Sequence, residues 1–537
     1  MNITEYIIVG SGCTGAMAAQ TLVEAGKDVT MLDVGIQQDT SYALSIPEKD
    51  FLTIRRTEKD QHQYLIGKDF EGIAWDSSGK GQQITPPRRH MIHQTDTFLP
   101  VTSDTFSPVE SLAYGGLGTG WGIGCWEWSS QELKTAGLAA PAMRAAYNTV
   151  ARRIGVSATV DDAQKYTLGT LTEFQVSPHM DRNHMILYKN YLSKKHKLSK
   201  QGFVMGRTPL ALLTKDKGER KAYSYKDMDF YSDAEQSAYR PWMTINQLKK
   251  KTNFHYINKQ LVTYFEEKRD GIIVRCLNIT TKKYTTFRCK NLVLATGVLG
   301  TARIVLRSIK NNGVHLPLLS NPYTYVPCIQ LSMIGQEAER HKLGFAQLSL
   351  FLDEDQKNFG ASMASLYSYQ SLMLFRIIRQ VPLDLVGARH LLRYLSSGMI
   401  IMGIHQPDKS GSKKFLELVP NATSPTGDML KATYIPTSDE TSLRERREKK
   451  FIAAMRSMGV FAIKRIDPGF GSGIHYAGVL PFDASEKPFT LHENGRLHGT
   501  KRIFVADGSG FTYLPAKGLT FSLMANAHNV ALEALHA

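Results

Sequence analysis

The first thirty-four residues constrain the fold more than any other stretch. Tyr6-Ile7-Ile8-Val9 is a short apolar run, and Gly10-Ser11-Gly12-Cys13-Thr14-Gly15 follows at once. Residues 16–25 have helical composition, and Gly26 stands where a helix C-cap is expected. Val29-Thr30-Met31-Leu32 is a second apolar run, ending at Asp33. Strand, glycine turn, helix, strand and acid at this spacing predict a βαβ unit over 5–34. Gly10 permits the tight turn, Gly12 lets the backbone approach a pyrophosphate, and Gly15 lets helix and strand pack closely. The helix N-terminus attracts phosphate, and Asp33 can accept hydrogen bonds from a ribose. The unit predicts a dinucleotide site without separating NAD from FAD.

The far end of the chain carries a matching piece. Ile503-Phe504-Val505-Ala506 has strand character and ends in Asp507-Gly508-Ser509. The apolar segment 519–535 then has Phe521, Met524, Ala525, His528 and Leu532 on one helical face. Both ends of the chain are expected in one nucleotide-binding sheet. A third piece, 291–294, is an apolar strand ending in Ala295-Thr296-Gly297, with a helix expected over 300–308. Ahead of it, the runs 254–256, 261–265, 271–276 and 284–289 predict a β-meander closing over the nucleotide. The segment Tyr114–Gly124 holds six glycines in eleven residues, too many for a helix core. Its apolar residues and Trp121 predict a buried loop whose backbone lies against something flat or charged.

The remaining segments carry less signal. Residues 36–110 are polar and irregular. Residues 131–253 mix helices (131–154, 180–196) with polar loops. Residues 315–465 are expected to form a second domain on an antiparallel sheet, from runs at 323–333, 343–352, 399–405 and 415–419, with a charged helix over 439–458. The domain limits are then 1–130, 254–314 and 466–537 for the nucleotide-binding part, 315–465 for the second domain, and 131–253 divided between them. The fold class is α/β with a second α+β domain.

Hydrophobic residues make up 42% and charged residues 21% of the chain, which excludes a disordered protein. The net charge of +16 suits an anionic partner or simply a soluble surface; dispersed Arg and Lys without zinc-finger spacing argue against nucleic acid. The five cysteines include no CxxC pair, so no metal is expected, and free thiols suit a reducing compartment. A strand beginning within six residues of Met1 leaves no room for a signal peptide, and no long uncharged apolar stretch is present. A cytoplasmic location is expected. Residues 372–395 are apolar and basic, and Pro382 divides them into two short helices with Arg376, Arg379, Arg389 and Arg393 along them. They are either a core helix pair or a lid in peripheral contact with a membrane.

Together these landmarks resemble the glucose–methanol–choline (GMC) oxidoreductases, which are FAD enzymes with a Rossmann-like FAD-binding domain and a substrate domain. The resemblance rests on Gly10, Gly12, Gly15 and Asp33, on the loop from Gly115-Gly116 to Trp121, and on Ala295-Thr296-Gly297. It extends to Gly473-Ile474-His475-Tyr476-Ala477-Gly478, to Arg496-Leu497-His498-Gly499, and to the stretch ending in Asp507-Gly508-Ser509. It implies cofactor contacts at Gly10, Gly12, Cys13, Thr14, Gly15 and Asp33, at Gly115, Gly116, Thr119 and Trp121, and at Val262, Ala295, Thr296 and Gly297. Asp507, Gly508 and Thr520 complete that set. The glycine loop is similar to that of pyranose oxidases, where a His before the Trp carries a covalent flavin bond. Gly120 stands there, so noncovalent FAD is expected.

The resemblance further implies hydride transfer from a sugar, cyclic polyol or other alcohol to flavin N5, with an electron acceptor left open. His475 is the expected general base, since a neutral imidazole suits proton abstraction. One departure stands out. The family commonly carries Asn or His, then Pro-Thr, before the final helix, where this chain has Gly518-Leu519-Thr520. Lys517 is the candidate substitute. Without a second catalytic side chain the flavin could instead serve a redox-neutral epimerisation through a transient ketone, or a flavoprotein without catalysis.

Overall fold

The computed structural model describes residues 3–37, 57–60, 62, 86–225, 235–309, 313–337, 339, 343–368 and 382–536. At its centre is a parallel sheet. Across it the strands run Phe254–Ile257, Val29–Leu32, Thr4–Val9, Tyr284–Leu294 and Ile503–Val505. Strands covered on both faces read as continuous apolar runs, and Ile7, Ile8, Leu292, Val293 and Leu294 are all fully buried. The strand Tyr284–Leu294 serves two sheets' worth of pairing. Its second half lies parallel to the chain's first and last strands. Its first half pairs antiparallel with Gly271–Asn278, which pairs with Gln260–Lys268.

The meander is therefore shorter than the sequence suggested. Phe254–Ile257 leaves it and extends the parallel sheet beyond Val29–Leu32. Two local features cause this. The Asn253 side chain donates to Val23 O (3.1 Å) and Lys27 O (2.8 Å), fixing the strand start beside the first helix. Lys259, at φ 60°, then turns the chain into the meander.

The helix Cys13–Glu24 packs against Thr520–Ala534, which also packs against Ala140–Ile154. Tyr6 OH donates to Ala534 O at 2.9 Å, so the first strand touches the end of the last helix. The expected single helix over 131–154 is two, Ser130–Thr135 and Ala140–Ile154; between them Gly137 adopts φ 82° and Pro141 opens the second.

The second sheet has six antiparallel strands in the order Val460–Ala462, Tyr323–Gln330, Met399–His405, Ser362–Ser368, Ala346–Leu352, Phe203–Arg207. Phe203–Arg207 comes from a segment where no strand was expected. The expected strand at 415–419 belongs elsewhere. As Lys414–Pro420 it pairs with Leu316–Pro317 and Asp428–Tyr434 in a separate sheet. Its Leu416 is buried in the core that holds Ile7, Leu292 and Val505, so burial draws it to the nucleotide-binding side.

Alternation along the six-stranded sheet separates its faces. Val326, Cys328, Ile400, Met402, Ile404, Ala364 and Leu366 pack with Leu187, Tyr191, Phe451 and Met455 of the helices Arg182–Lys200 and Ser438–Ser457. The opposite parity carries Tyr323, Tyr367 and His405. Within 372–395, residues 372–381 lie outside those described. The remainder holds the helix Leu385–Leu395, capped by Asp384, with Leu392 buried and Val386, Leu391 and Tyr394 exposed. Among the described residues no helix is long and apolar enough to cross a membrane.

One buried ion pair fastens segment 99–110 to the helix Val298–Ile309. The Arg303 guanidinium, 1% exposed, meets both Glu110 oxygens at 2.6 and 2.8 Å and donates to Leu99 O at 3.0 Å. Removing the carboxylate strands a buried cation. Glu110→Ala is expected to lower stability by about 3–5 kcal/mol in chemical denaturation. An unchanged midpoint would show that Arg303 is solvated some other way.

Candidate cofactor and active site

Four strand ends converge at the C-terminal edge of the parallel sheet, where open α/β sheets bind ligands. At Gly10 (φ 98°) an added Cβ would lie 2.7 Å from Ala295 O, and at Gly15 it would lie 1.9 Å from Gly10 O. These contacts demand glycine. At Gly12 and at Gly297 a Cβ would meet nothing within 4 Å, so both border open space. The helix Cys13–Glu24 starts at Gly12 with no side-chain cap and no acid in its first turn. Its first N–H groups and dipole are left to an anion. Thr14 is buried just inside this turn, and so is Cys13, whose thiol burial pushes up to about 12.

Asp33 ends the second strand. Ser11 Oγ and, at 2.8 Å, Tyr256 OH both donate to its Oδ2. Burial outweighs these bonds and raises its pKa to about 6. Ser11 Oγ also accepts from Gly115 N at 2.9 Å, so the second glycine loop docks on the first. Gly116 lies over Gly12, where a Cβ would sit 3.3 Å from Gly12 Cα. The loop is held by Thr119 Oγ1 to Tyr114 O (3.0 Å) and Trp121 Nε1 to Tyr239 O (2.9 Å). At the third turn, Thr296 Oγ1 and Thr301 Oγ1 share a hydrogen bond of 2.9 Å, and Thr301 Oγ1 donates to Asp507 at 2.6 Å. The segments at 10–15, 33, 115–121, 295–297 and 507–508 thus form one cradle. Val262 is different: its side chain is buried in the core under the sheet.

At the other end, the helix Thr520–Ala534 also begins without a side-chain cap or a first-turn acid. Gly518 lets it start on the Trp126 ring, where a Cβ would come within 2.4 Å. Asn526, in its second turn, has a buried Nδ2 without a hydrogen-bond partner among the described residues. Two open glycine turns, two uncapped helix starts, a carboxylate at the end of the second strand and an orphaned buried amide fit an elongated dinucleotide such as FAD.

His475 is positioned by strand register. Tyr476–Ala477 pairs with Leu319–Ser320, Ser320 opposite Tyr476, so the next pair outward brings His475 beside Asn321. Their side chains meet, His475 Nδ1 to Asn321 Oδ1, at 3.0 Å. Asn321 Nδ2 donates to Gln406 O (2.7 Å) and Pro515 O (3.0 Å), which fixes the amide orientation. Oδ1 is therefore the acceptor, and His475 carries its proton on Nδ1. Nε2 keeps a free lone pair on a partly exposed ring. Burial lowers His475 to about 4, so it is neutral at neutral pH.

Sequence reasoning missed the groups around it. His405, the last residue of Met399–His405, stacks on His475 with ring centroids 5.2 Å apart and 22° between planes. Tyr323 also packs against His405, with centroids 4.6 Å apart, and Gly403 makes room for the Tyr323 ring. Tyr323 OH and Tyr367 OH are 3.5 Å apart. Burial and the adjacent His475 hold His405 well below the ordinary histidine range. The only sequence signal for His405 was its place at the end of an expected strand. Asn321 had none.

Lys517 does not fill the vacant catalytic role. Only 2% exposed, its Nζ meets Glu132 Oε2 at 2.8 Å, Asn358 Oδ1 at 3.1 Å and Glu127 O at 3.4 Å. Three acceptors take its three protons, leaving none for a substrate. Glu132 is also the capping-box residue of Ser130–Thr135, so the ion pair ties that helix to the start of the last one.

No sequence-family model matches the chain, and no curated protein sequence matches it. A solved structure does: the crystal structure of pyridoxine 4-oxidase from Mesorbium loti superposes with a TM-score of 0.59. At 12% identity the likeness covers 99% of both chains, so the two share their overall fold from end to end.

Two measurements probe the site's ends. Ribose hydroxyls bond best to an ionised Asp33, so FAD affinity should be full above about pH 7 and fall as the pH drops through about 6. An ordinary Asp would hold until about pH 4. Fluorescence titration of the apoprotein checks this, and Asp33→Asn should flatten the curve. Lys517→Met should lower stability by about 3–5 kcal/mol, because it leaves the Glu132 carboxylate buried and unpaired. Wild-type stability with lost turnover would instead return Lys517 to the chemistry.

Proposed function

We propose that this protein is an FAD-dependent oxidoreductase that oxidises a CH–OH group, holding FAD without a covalent bond. One observation carries the reading: His475 offers Nε2 as a base, its tautomer set by Asn321, and Asn321 is itself bonded to the loop that leads into the uncapped helix Thr520–Ala534. FAD supplies the hydride acceptor. His475 Nε2 takes the hydroxyl proton, and a neutral imidazole can do so without first losing one of its own. The helix start offers partial positive charge to the ring end of the cofactor. The cradle at Gly10, Gly12, Asp33, Gly297 and Asp507 takes the pyrophosphate and ribose. Gly120 supports the noncovalent part, since no nucleophilic side chain stands at that position.

The substrate class extends from sugars and cyclic polyols to hydroxymethyl arenes, because the fold neighbour is named for oxidising pyridoxine. The test is an anaerobic absorbance screen of the holoenzyme against sugars, polyols, benzyl alcohol and pyridoxine. Bleaching of the flavin by one of them is expected. If none bleaches it, the oxidoreductase reading falls. Product formed without oxidant consumption would mark the redox-neutral alternative.

His475→Ala should keep FAD bound and slow bleaching by about 10²–10⁴-fold. A base must be unprotonated, so the wild-type rate should hold as the pH is lowered and fail only near 4, the value burial gives His475. An acid limb near 6.5 would mean that the working base is not the desolvated His475.

A further inference from the structure

The second catalytic side chain that the resemblance implies has a candidate in another part of the chain. His405 Nδ1 is buried and has no hydrogen-bond partner among the described residues. An orphaned buried N–H is rarer and costlier than an unsatisfied acceptor, so Nδ1 holds the lone pair and Nε2 the proton. The ring is partly exposed, and Nε2 makes no hydrogen bond to a described residue. His475 has the opposite tautomer, with its proton on Nδ1 and its lone pair on Nε2. Two stacked imidazoles thus differ in kind: one presents an acceptor and the other a donor.

We propose that His405 is a second catalytic residue, contributed by the six-stranded sheet, which donates a hydrogen bond from Nε2 to the substrate oxygen that His475 deprotonates. The proposal rests on the oxidoreductase reading above. In the reaction the O–H bond breaks as its proton passes to His475 Nε2. The C–H bond breaks with its electron pair going to FAD, and the carbon–oxygen double bond forms. The alcohol loses two electrons and FAD gains them. Negative charge gathers on the oxygen before the hydride leaves, and a fixed donor stabilises it most at that point. An ammonium at Lys517 has no proton to spare for this, being bonded to Glu132, Asn358 and Glu127. Tyr323, whose ring is tilted 36° against His405 at 4.6 Å between centroids, helps hold that ring in place.

The experiment separates donation from packing with two substitutions in the holoenzyme. His405→Phe keeps a stacked ring and removes the donor. His405→Gln keeps a donor and loses the ring. FAD content and thermal melting are measured for both. The readout is the anaerobic rate of flavin bleaching by the alcohol that reduces the wild type fastest. His405→Phe is expected to slow bleaching by about 100- to 1,000-fold with FAD retained, and His405→Gln by less than about 30-fold. The reverse order, or a wild-type rate in His405→Phe, assigns His405 to packing alone and overturns the proposal while leaving His475 and the oxidoreductase reading intact. If His405→Phe does not fold, a His405→Gln rate below that of His475→Ala overturns it equally. Failure of every alcohol to bleach the wild type removes the oxidoreductase reading, and this proposal with it.

Discussion

Everything at the nucleotide end depends on one close approach of backbone to backbone. The turn at Gly10 crosses the end of the strand Tyr284–Leu294 so tightly that a single methyl would collide with Ala295 O. That contact sets how far apart the turns at Gly10 and Ala295 can lie. Ser11, one residue on, then reaches both Asp33 and Gly115. A displaced first turn would therefore lose the acid and the second glycine loop together. Backbone contacts of this kind involve no rotamers to freeze, which suits a cradle that must be preformed before its ligand arrives.

The cluster around His475 is built on another principle. Its groups come from four places far apart in the chain: Asn321, His405, His475 and the backbone at Pro515. None is adjacent to another in sequence: Asn321 and His475 flank one two-stranded pairing, His405 ends a strand of the six-stranded sheet, and Pro515 lies in a loop. A two-residue strand pairing sets His475 opposite Asn321, and one long antiparallel pairing sets His405 opposite Tyr323. Buried ion pairs hold connecting segments against helices: Arg303–Glu110 ties 99–110 to Val298–Ile309, and Lys517–Glu132 ties Ser130–Thr135 to the start of the last helix. They add less net stability than apolar residues of equal volume would, yet each tolerates few neighbours, which restricts how the segments can be placed.

The sequence was most legible where function is carried by backbone. The glycines at 10, 12 and 15, with Asp33 and the turn at 295–297, announce themselves because their spacing follows from strand and helix geometry. His475 was legible only through a resemblance, His405 only as the end of an expected strand, and Asn321 not at all. Their roles depend on tertiary register, which no local pattern encodes. Lys517 misled for a related reason: its position beside the last helix was visible, but its partner Glu132 was hundreds of residues away. Phe254–Ile257 and Lys414–Pro420 were recognised as strands and assigned to the wrong neighbours, since strand character says nothing about which edge a strand will join.

The placement of Ile503–Val505 has a consequence for how the protein is made. Its partner, the strand Tyr284–Leu294, leaves the ribosome long before it, already able to pair with Thr4–Val9 on one side. While the other five strands of the six-stranded sheet, all but Phe203–Arg207, are made, the other side is an open edge, rich in Leu and Val, of the kind that recruits foreign strands. The nascent chain thus elongates from residue 294 to residue 503 with that edge of its central sheet unpaired, and its solubility during that interval rests on whatever covers the edge.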